Sequence, residues 1–138
     1  NGKETLNELL PRESKTKETD LALLSLIYPY DIVNGIQREM ILHAVERKLV
    51  REKGVIRYAD DKYYSNGSEA EWCFGFPWLA IIYKNTNRLD KYTHYLKKTM
   101  QIANLDGELP ELYYGKSSKY NENTPLGWGQ SLSIVALA

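Results

Sequence analysis

The sequence lacks three features that would each have pointed to a class of protein. Its 138 residues include a single cysteine, Cys73, which excludes an internal disulfide and a zinc site built from several thiolates. Lysine and arginine together number 18, as do aspartate and glutamate, so no excess of cations is present to neutralise nucleic-acid phosphates or to bind an anionic membrane. No apolar run reaches the length of about 18 residues that a membrane span needs. We therefore expect no nucleic acid, no membrane, and no metal or other cofactor as partners.

Cys73 itself lies in an apolar run, between Trp72 and Phe74, which predicts a buried, unreactive side chain and leaves the redox compartment open. The chain starts without a methionine, and residues 134–138 stop inside an apolar helical pattern that has no terminating signal. We expect from these ends that the chain is part of a longer protein.

Tyrosine is abundant instead, with 11 residues beside 3 tryptophans and 2 phenylalanines. Rings that carry a polar group suit sites that are half apolar and half wet, sugar-binding sites included. The same rings also fill helix–helix interfaces, and composition alone favours that second use. The apolar fraction of 43% is typical of one compact domain.

Apolar residues recur at spacings of three to four along most of the chain, which predicts helices. The expected helices cover residues 3–10, 20–27, about 35–50, 69–85, 87–103 and a last segment after Thr124. Mostly buried helices alternate with amphipathic ones. This alternation predicts an all-α fold of helical hairpins that form part of a toroid, whose inner helices are covered on both sides, although a solenoid of helix pairs gives the same pattern.

The side chains around these helices give further expectations. The predicted N-caps are Thr16 or Thr19, Asn34, Ser68 and Thr124. In the helix at 87–103 we expect the lysines to face outward and five side chains to face inward, namely Leu89, Tyr92, Leu96, Met100 and Ile102. Residues 51–67 and 104–123 are predicted to be long loops, with a short extended stretch at 55–58.

Three motifs combine residues suited to carbohydrate chemistry. Arg57 and Asp61 lie in the loop before a buried helix, Glu71 and Trp72 are expected in that helix's first turn, and Glu111 precedes the last helix. In a toroid, the loops that lead into inner helices share one end. The side chains of Arg57, Glu71, Glu111 and Trp128 would then converge on one pocket.

Such a pocket has the groups that inverting glycoside hydrolysis needs. That reaction uses two carboxyl groups about 6.5–9.5 Å apart, one as acid and one to activate water, with aromatic rings against the sugar. Each residue has an ordinary explanation when it is taken alone. Glu111 fits a surface carboxylate, Arg57 a solvated loop charge, and a carboxylate such as Glu71 suits any helix first turn.

Together the motifs resemble glycoside hydrolase family 15, the glucoamylase family, and its relatives in the phosphorylase kinase α and β subunits. The resemblance covers residues 20–138. The stretch from Arg57 to Tyr63 resembles the family's Arg-Tyr-x-Asp/Glu-Asp-x-Tyr element, whose arginine contacts substrate. Glu111, in Pro-Glu-Leu-Tyr, matches the general base. Trp128, in Leu-Gly-Trp-Gly, matches the tryptophan that flanks the bound sugar.

The resemblance implies that residues 1–138 form a single domain, the C-terminal part of an (α/α)6 barrel. The implied protein is an inverting, exo-acting α-glucosidase that acts on an oligosaccharide or glucan. The implied site consists of Glu111 as general base, with Arg57, Asp61, Glu71, Trp72 and Trp128 as substrate-binding residues. The family's general acid lies on an earlier hairpin. We therefore expect the isolated chain to be inactive and to self-associate through the truncated barrel face.

An alternative stays open at this stage. The motifs Glu-x-Glu-Trp and Trp-Gly-Gln-Ser-Leu are more similar in sequence to the phosphorylase-kinase-type branch than to the glucoamylases. This similarity favours a non-catalytic glucan-binding or regulatory domain. A helical-repeat interaction scaffold that binds no sugar is a third interpretation.

Overall fold

Five α-helices supply most of the regular structure in the computed structural model, which describes residues 1–138. In chain order the elements are α1 (Gly2–Leu9), a 3-10 helix (Leu21–Leu26), α2 (Gly35–Lys48), β1 (Glu71–Trp72), α3 (Gly75–Asn85), α4 (Leu89–Ile102), β2 (Leu112–Tyr113) and α5 (Gly127–Leu137). The predicted all-α class, built of helical hairpins, is confirmed. No helix combines the length and the apolar character that crossing a membrane would require.

Helix α3 is the centre of the fold. It packs against both α4 and α5, and every residue from Gly75 to Tyr83 is buried. Its sequence is apolar around the whole circumference, which is what a helix covered on all sides needs. Helix α4 is amphipathic and buries Tyr95, Thr99 and Ile102, which recur at spacings of four and three. The prediction of a buried helix followed by an amphipathic partner is therefore confirmed for this hairpin.

The inward face of α4 differs from the predicted one. Ile102 is buried as predicted, and Tyr92 and Leu96 are partly buried against the core. The prediction was wrong for Leu89 and Met100, which are 58% and 65% exposed. The buried stripe passes through Tyr95, whose ring stacks on Tyr83 of α3 with centroids 5.8 Å apart. Tyr95, which the pattern did not place inward, thus occupies this interface.

Two of the predicted caps concern the first half of the chain. Asn34 caps α2 as predicted: its side chain accepts from the backbone N–H of Gln37, and the Gln37 side chain accepts from the Asn34 N–H. Residues 21–26 form a 3-10 helix rather than an α-helix. Asp20 caps it by accepting from the Ala22 N–H at 2.7 Å, so the prediction of Thr16 or Thr19 was wrong.

The predicted caps Ser68 and Thr124 were also wrong, because α3 and α5 begin later than expected, at Gly75 and Gly127. Pro77 has no N–H and is tolerated only in a helix's first turn, so α3 cannot extend far before it. Residues 71–72, expected in that first turn, form β1 instead.

A small β patch lies where α3 begins. Strands β1 and β2 pair in antiparallel fashion, with Trp72 opposite Leu112. Val55 extends the patch on one side by exchanging two backbone hydrogen bonds with Trp72, each 3.0 Å long. Tyr120 extends it on the other side by pairing with Tyr113. The patch therefore holds segments that are distant in sequence side by side.

Helix α5 is as apolar as α3 but is only partly covered. It buries Gly129, Leu132 and Ala136. Its other large apolar side chains are exposed, namely Trp128, Ile134, Val135 and Leu137. One apolar face of this helix thus has no partner within the chain.

Candidate functional site

The β patch and the start of α3 bring three of the predicted motifs to one end of the molecule. Arg57 follows the extended residue Val55, and Trp72 lies in β1. Glu111 immediately precedes β2, and its carbonyl oxygen accepts from the Cys73 N–H at 3.1 Å. Trp128 joins this end because its ring packs against the residues that lead into α3. The convergence predicted from the sequence is thus present for these segments, while the side chains differ in how they are used.

Arg57 is held by Asp61 in a two-point ion pair. Its Nε donates to Asp61 Oδ2 at 2.6 Å and its Nη2 to Oδ1 at 2.8 Å, and the Tyr63 N–H also donates to Oδ1. Burial raises the pKa of Asp61, but the hydrogen bonds from Arg57 and Tyr63 outweigh it, so the net pKa lies below its usual value. Asp61 is 1% exposed, so it orients Arg57 and is hidden from any ligand. The Nη1 group of Arg57 has no partner and remains available to a ligand.

Trp72 is covered by its neighbours rather than open. The Tyr63 ring stacks on it, with centroids 6.0 Å apart and planes 11° from parallel. The guanidinium carbon of Arg57 lies 4.8 Å from the Trp72 ring centroid and 4.9 Å from that of Tyr63. Trp72 is 6% exposed, whereas Tyr63 is 54% exposed. Tyr63, which the sequence did not single out as a site residue, occupies the accessible position of this stack.

Trp128 presents an accessible ring on a firm support. It stacks on Phe74 with centroids 4.4 Å apart and meets Trp78 edge-on at 5.4 Å. About half of the residue, 51%, is exposed. An aromatic ring fixed from behind and open in front suits the apolar face of a sugar ring.

Glu111 is held by two amides. Asn121 Nδ2 and Asn123 Nδ2 donate to the same carboxylate oxygen, Oε2, at 2.6 and 2.7 Å. The other oxygen, Oε1, has no hydrogen-bond partner in the chain. The two asparagines reach Glu111 because the chain after β2 folds back as a hairpin. In this hairpin the Asn121 N–H donates to the Leu112 carbonyl oxygen and the Glu111 N–H donates to the Asn123 carbonyl oxygen.

Sequence reasoning missed Asn121 and Asn123. They lie in a stretch rich in turn-forming residues, where asparagine is expected for backbone reasons alone. The backbone pairing across the hairpin, which includes Tyr113 with Tyr120, brings them back to face Glu111. That register has no periodic signal in so short a segment.

Glu71 does not join the site. Because side chains alternate along a strand, the Glu71 side chain points away from the face that carries Trp72. Its two oxygens accept from the backbone N–H groups of Lys53 and Lys116 at 2.9 and 2.8 Å, and the residue is 3% exposed. Glu71, which lies in β1, thus connects the segment at Lys53 to the segment at Lys116 through hydrogen bonds. The prediction that Glu71 lies in a helix first turn beside the pocket was wrong.

The candidate site is an open face rather than a cavity. Five cavities with volumes from about 160 to about 450 Å³ lie elsewhere in the chain, and none is lined by Glu111, Arg57 or Trp128. No group of three or more His, Cys, Asp or Glu side chains is arranged to hold a metal ion. The predicted site residues therefore offer one free carboxylate oxygen of Glu111, the free Nη1 of Arg57 and the exposed ring of Trp128.

The comparisons with known proteins identify the fold. No protein-family description matches the chain, and no curated protein matches it in sequence. Among solved structures, a wild-type glycosidase shares its fold at 20% identity with a TM-score of 0.73, over 86% of this chain and 34% of that one. A glycosidase variant in complex with glucose matches at 19% identity with a TM-score of 0.70, over 86% of this chain and 34% of that one.

The chain thus spans about a third of the length of the glycosidases that it matches. At this level of identity the likeness establishes the fold alone. The chain has the fold of part of a glycosidase.

Proposed function

We propose that this chain is the C-terminal part of a glucoamylase-like (α/α)6 barrel, an inverting, exo-acting α-glucosidase with Glu111 as its general base. The observation that carries the proposal is the Glu111 carboxylate. One of its oxygens is held by two amides and the other is free, at the same end of the molecule as the exposed Trp128 ring and the free Nη1 of Arg57. A general base needs such a fixed oxygen to take a proton from water.

The second carboxyl group of the reaction would come from outside this chain. Asp61 and Glu71 are the other two carboxylates among the predicted site residues. Both are buried, and all of their oxygens accept hydrogen bonds within the chain. Neither can approach a leaving group as an acid. The family that the motifs resemble has its general acid on an earlier hairpin, so we assign this group to another part of the barrel and expect this chain alone to be inactive.

The half-covered helix α5 supports this view of the domain. Helix α3 is covered on all sides, as an inner helix of a toroid would be, whereas α5 exposes Ile134, Val135 and Leu137. The matched glycosidases are about three times as long as the stretch they share with this chain. Further hairpins would cover α5 and wall in the open face that carries Glu111.

The glycosidase variant that was solved with glucose makes glucose units a reasonable choice of substrate. The test uses the full-length protein that contains this sequence, with malto- and isomalto-oligosaccharides. We expect Glu111→Gln to lower kcat by about 10²–10⁴-fold, the usual contribution of a general base. Glu122→Gln, an exposed carboxylate in the same hairpin, is the matched control and should leave kcat unchanged. Equal kcat for Glu111→Gln and the wild type would reject the role of Glu111.

The alternative is a non-catalytic glucan-binding or regulatory domain of the phosphorylase kinase type. The supported Trp128 ring favours it, because such a ring binds sugar whether or not an acid is present. This alternative predicts oligosaccharide binding without turnover, with Trp128→Ala weakening the binding. Efficient turnover rejects it. A scaffold that binds no sugar, the third interpretation, would show neither binding nor turnover.

A further inference from the structure

The two amides that hold Glu111 act on one oxygen only. Asn121 and Asn123 both direct Nδ2 to Oε2, at 2.6 and 2.7 Å. These orientations follow from chemistry, since an amide oxygen turned toward the carboxylate would place two acceptors against each other. Two donors on the same atom restrict rotation of the carboxylate about its side-chain bonds. The direction of Oε1 is fixed as a consequence.

Asn121 is energetically unfavourable as a buried side chain. The residue is 2% exposed, and its Oδ1 is buried with no hydrogen-bond partner. A buried amide with one end unsatisfied is less favourable than an apolar side chain of similar shape. What an apolar side chain could not do is donate to Glu111. The position therefore has the residue that the carboxylate requires rather than the one that the core requires.

The donors are also neutral. The ion pairs of the chain do not include Glu111, although lysines are present in the same hairpin. A lysine or arginine at either asparagine position would hold the carboxylate as well but would neutralise its charge. Amides orient the group and leave its negative charge available for accepting a proton.

We propose that Asn121 and Asn123 are positioning residues that aim Oε1 of Glu111 at the reacting water. This inference rests on the proposed function, because it assigns a purpose to the geometry of the same carboxylate. Neither asparagine touches substrate in this proposal. They act through Glu111, so their loss should change turnover more than substrate binding.

The test compares Asn121→Ala, Asn123→Ala and the double variant in the full-length protein. We expect each single variant to lower kcat about tenfold and the double variant about a hundredfold, since a displacement of about 1 Å costs on that order. KM should stay within about twofold. Asn123→Gln, which keeps an amide at the exposed position, should recover most of the loss.

Asn104→Ala is the matched control. Asn104 Nδ2 donates to Glu108 Oε2 at 2.9 Å, so the control removes an Asn–Glu pair of the same kind from the same long loop. We expect its kcat to stay within about twofold of the wild type. Thermal unfolding of each variant then separates positioning from stability. A fall in kcat that follows the loss of folded protein would overturn the proposal.

Crystal structures of the full-length wild type and the double variant give a readout that is independent of turnover. We expect one position for the Glu111 side chain in the wild type and several in the double variant. An unchanged side chain in the double variant overturns the proposal whatever the activity. If Glu111→Gln is inactive but the asparagine variants are fully active, the proposal fails and the proposed function stands. If Glu111→Gln is fully active, the proposed function fails, and the role of the asparagines in turning Oε1 toward water fails with it.

Discussion

Trp72 and Trp128 were expected from the sequence to play the same part, and the structure separates them. Both lie beside the Phe74 ring, at centroid distances of 5.8 and 4.4 Å. Trp72 is 6% exposed and Trp128 is 51% exposed. The difference arises from what lies on top: Tyr63 and Arg57 cover Trp72, whereas nothing in the chain covers Trp128. The packing around each ring therefore decides which of the two can meet a ligand.

The carboxylates divide in the same way. In Asp61 and Glu71, both carboxylate oxygens accept hydrogen bonds from within the chain, and we call these carboxylates closed. Glu111 is half-open, with one oxygen held and one free. The side of the site built on Trp72 and Asp61 is a scaffold, and the side built on Trp128 and Glu111 is the part available for chemistry. Substitutions on the closed side should therefore affect stability more than substitutions on the open side.

The largest expected effect is on the closed side. Trp72→Ala should lower the free energy of unfolding by about 3–5 kcal/mol, because it removes a buried ring and leaves a cavity. Trp128→Ala should lower it by about 1 kcal/mol or less, since half of that ring is already in water. Urea denaturation of both variants measures the difference. Equal losses would mean that the two rings are not used differently.

Arg57→Ala should have the next largest effect. The change leaves the buried Asp61 carboxylate without its cation, and breaking a fully buried pair costs about 3–5 kcal/mol. Arg57 is a third exposed, so water can partly replace it, and we expect a loss of about 2 kcal/mol in the free energy of unfolding. When Arg57→Ala is introduced into the Asp61→Asn variant, the loss in the free energy of unfolding should be much smaller. A double-mutant cycle measured by urea denaturation tests this, and simple additivity would contradict the coupling.

Acid should weaken the closed side through the same pair. The pKa of Asp61 is lowered from its ordinary value of 3.8 by Arg57 and the Tyr63 N–H, despite burial, which acts in the opposite sense. A depressed carboxyl pKa adds stability that is complete above the ordinary value and is lost as the pH falls through the lowered one. The wild type should therefore lose more stability below about pH 4 than Asp61→Asn does. Parallel pH profiles of the unfolding free energy would contradict this.

The sequence was informative where a residue's role depends on local pattern. The Asn34 cap and the buried α3 helix both follow from residue type and spacing. It was uninformative about the β patch, because two-residue strands such as β1 have no periodicity and are fixed by their partners. Glu71 shows the consequence. Placing it in a helix instead of a strand reverses the face to which its carboxylate points.

The smallest expected effect on stability belongs to the open side. Ile134 of α5 is 68% exposed on an apolar face that also includes Val135 and Leu137. Ile134→Lys should change the free energy of unfolding by no more than about 0.5 kcal/mol, as for other surface substitutions. It should nevertheless change how the isolated chain associates, because a charge on an exposed apolar face opposes its burial against a second copy.

Sedimentation velocity of the isolated chain measures that association. We expect the unmodified chain to form dimers or larger species at micromolar concentration and Ile134→Lys to shift it toward the monomer. Ile36→Lys is the matched control, since Ile36 is 77% exposed but lies on α2, away from α5. It should leave the distribution unchanged. A stable monomer of the unmodified chain would show that α5 needs no partner, and it would remove the support that this helix gives to a larger barrel.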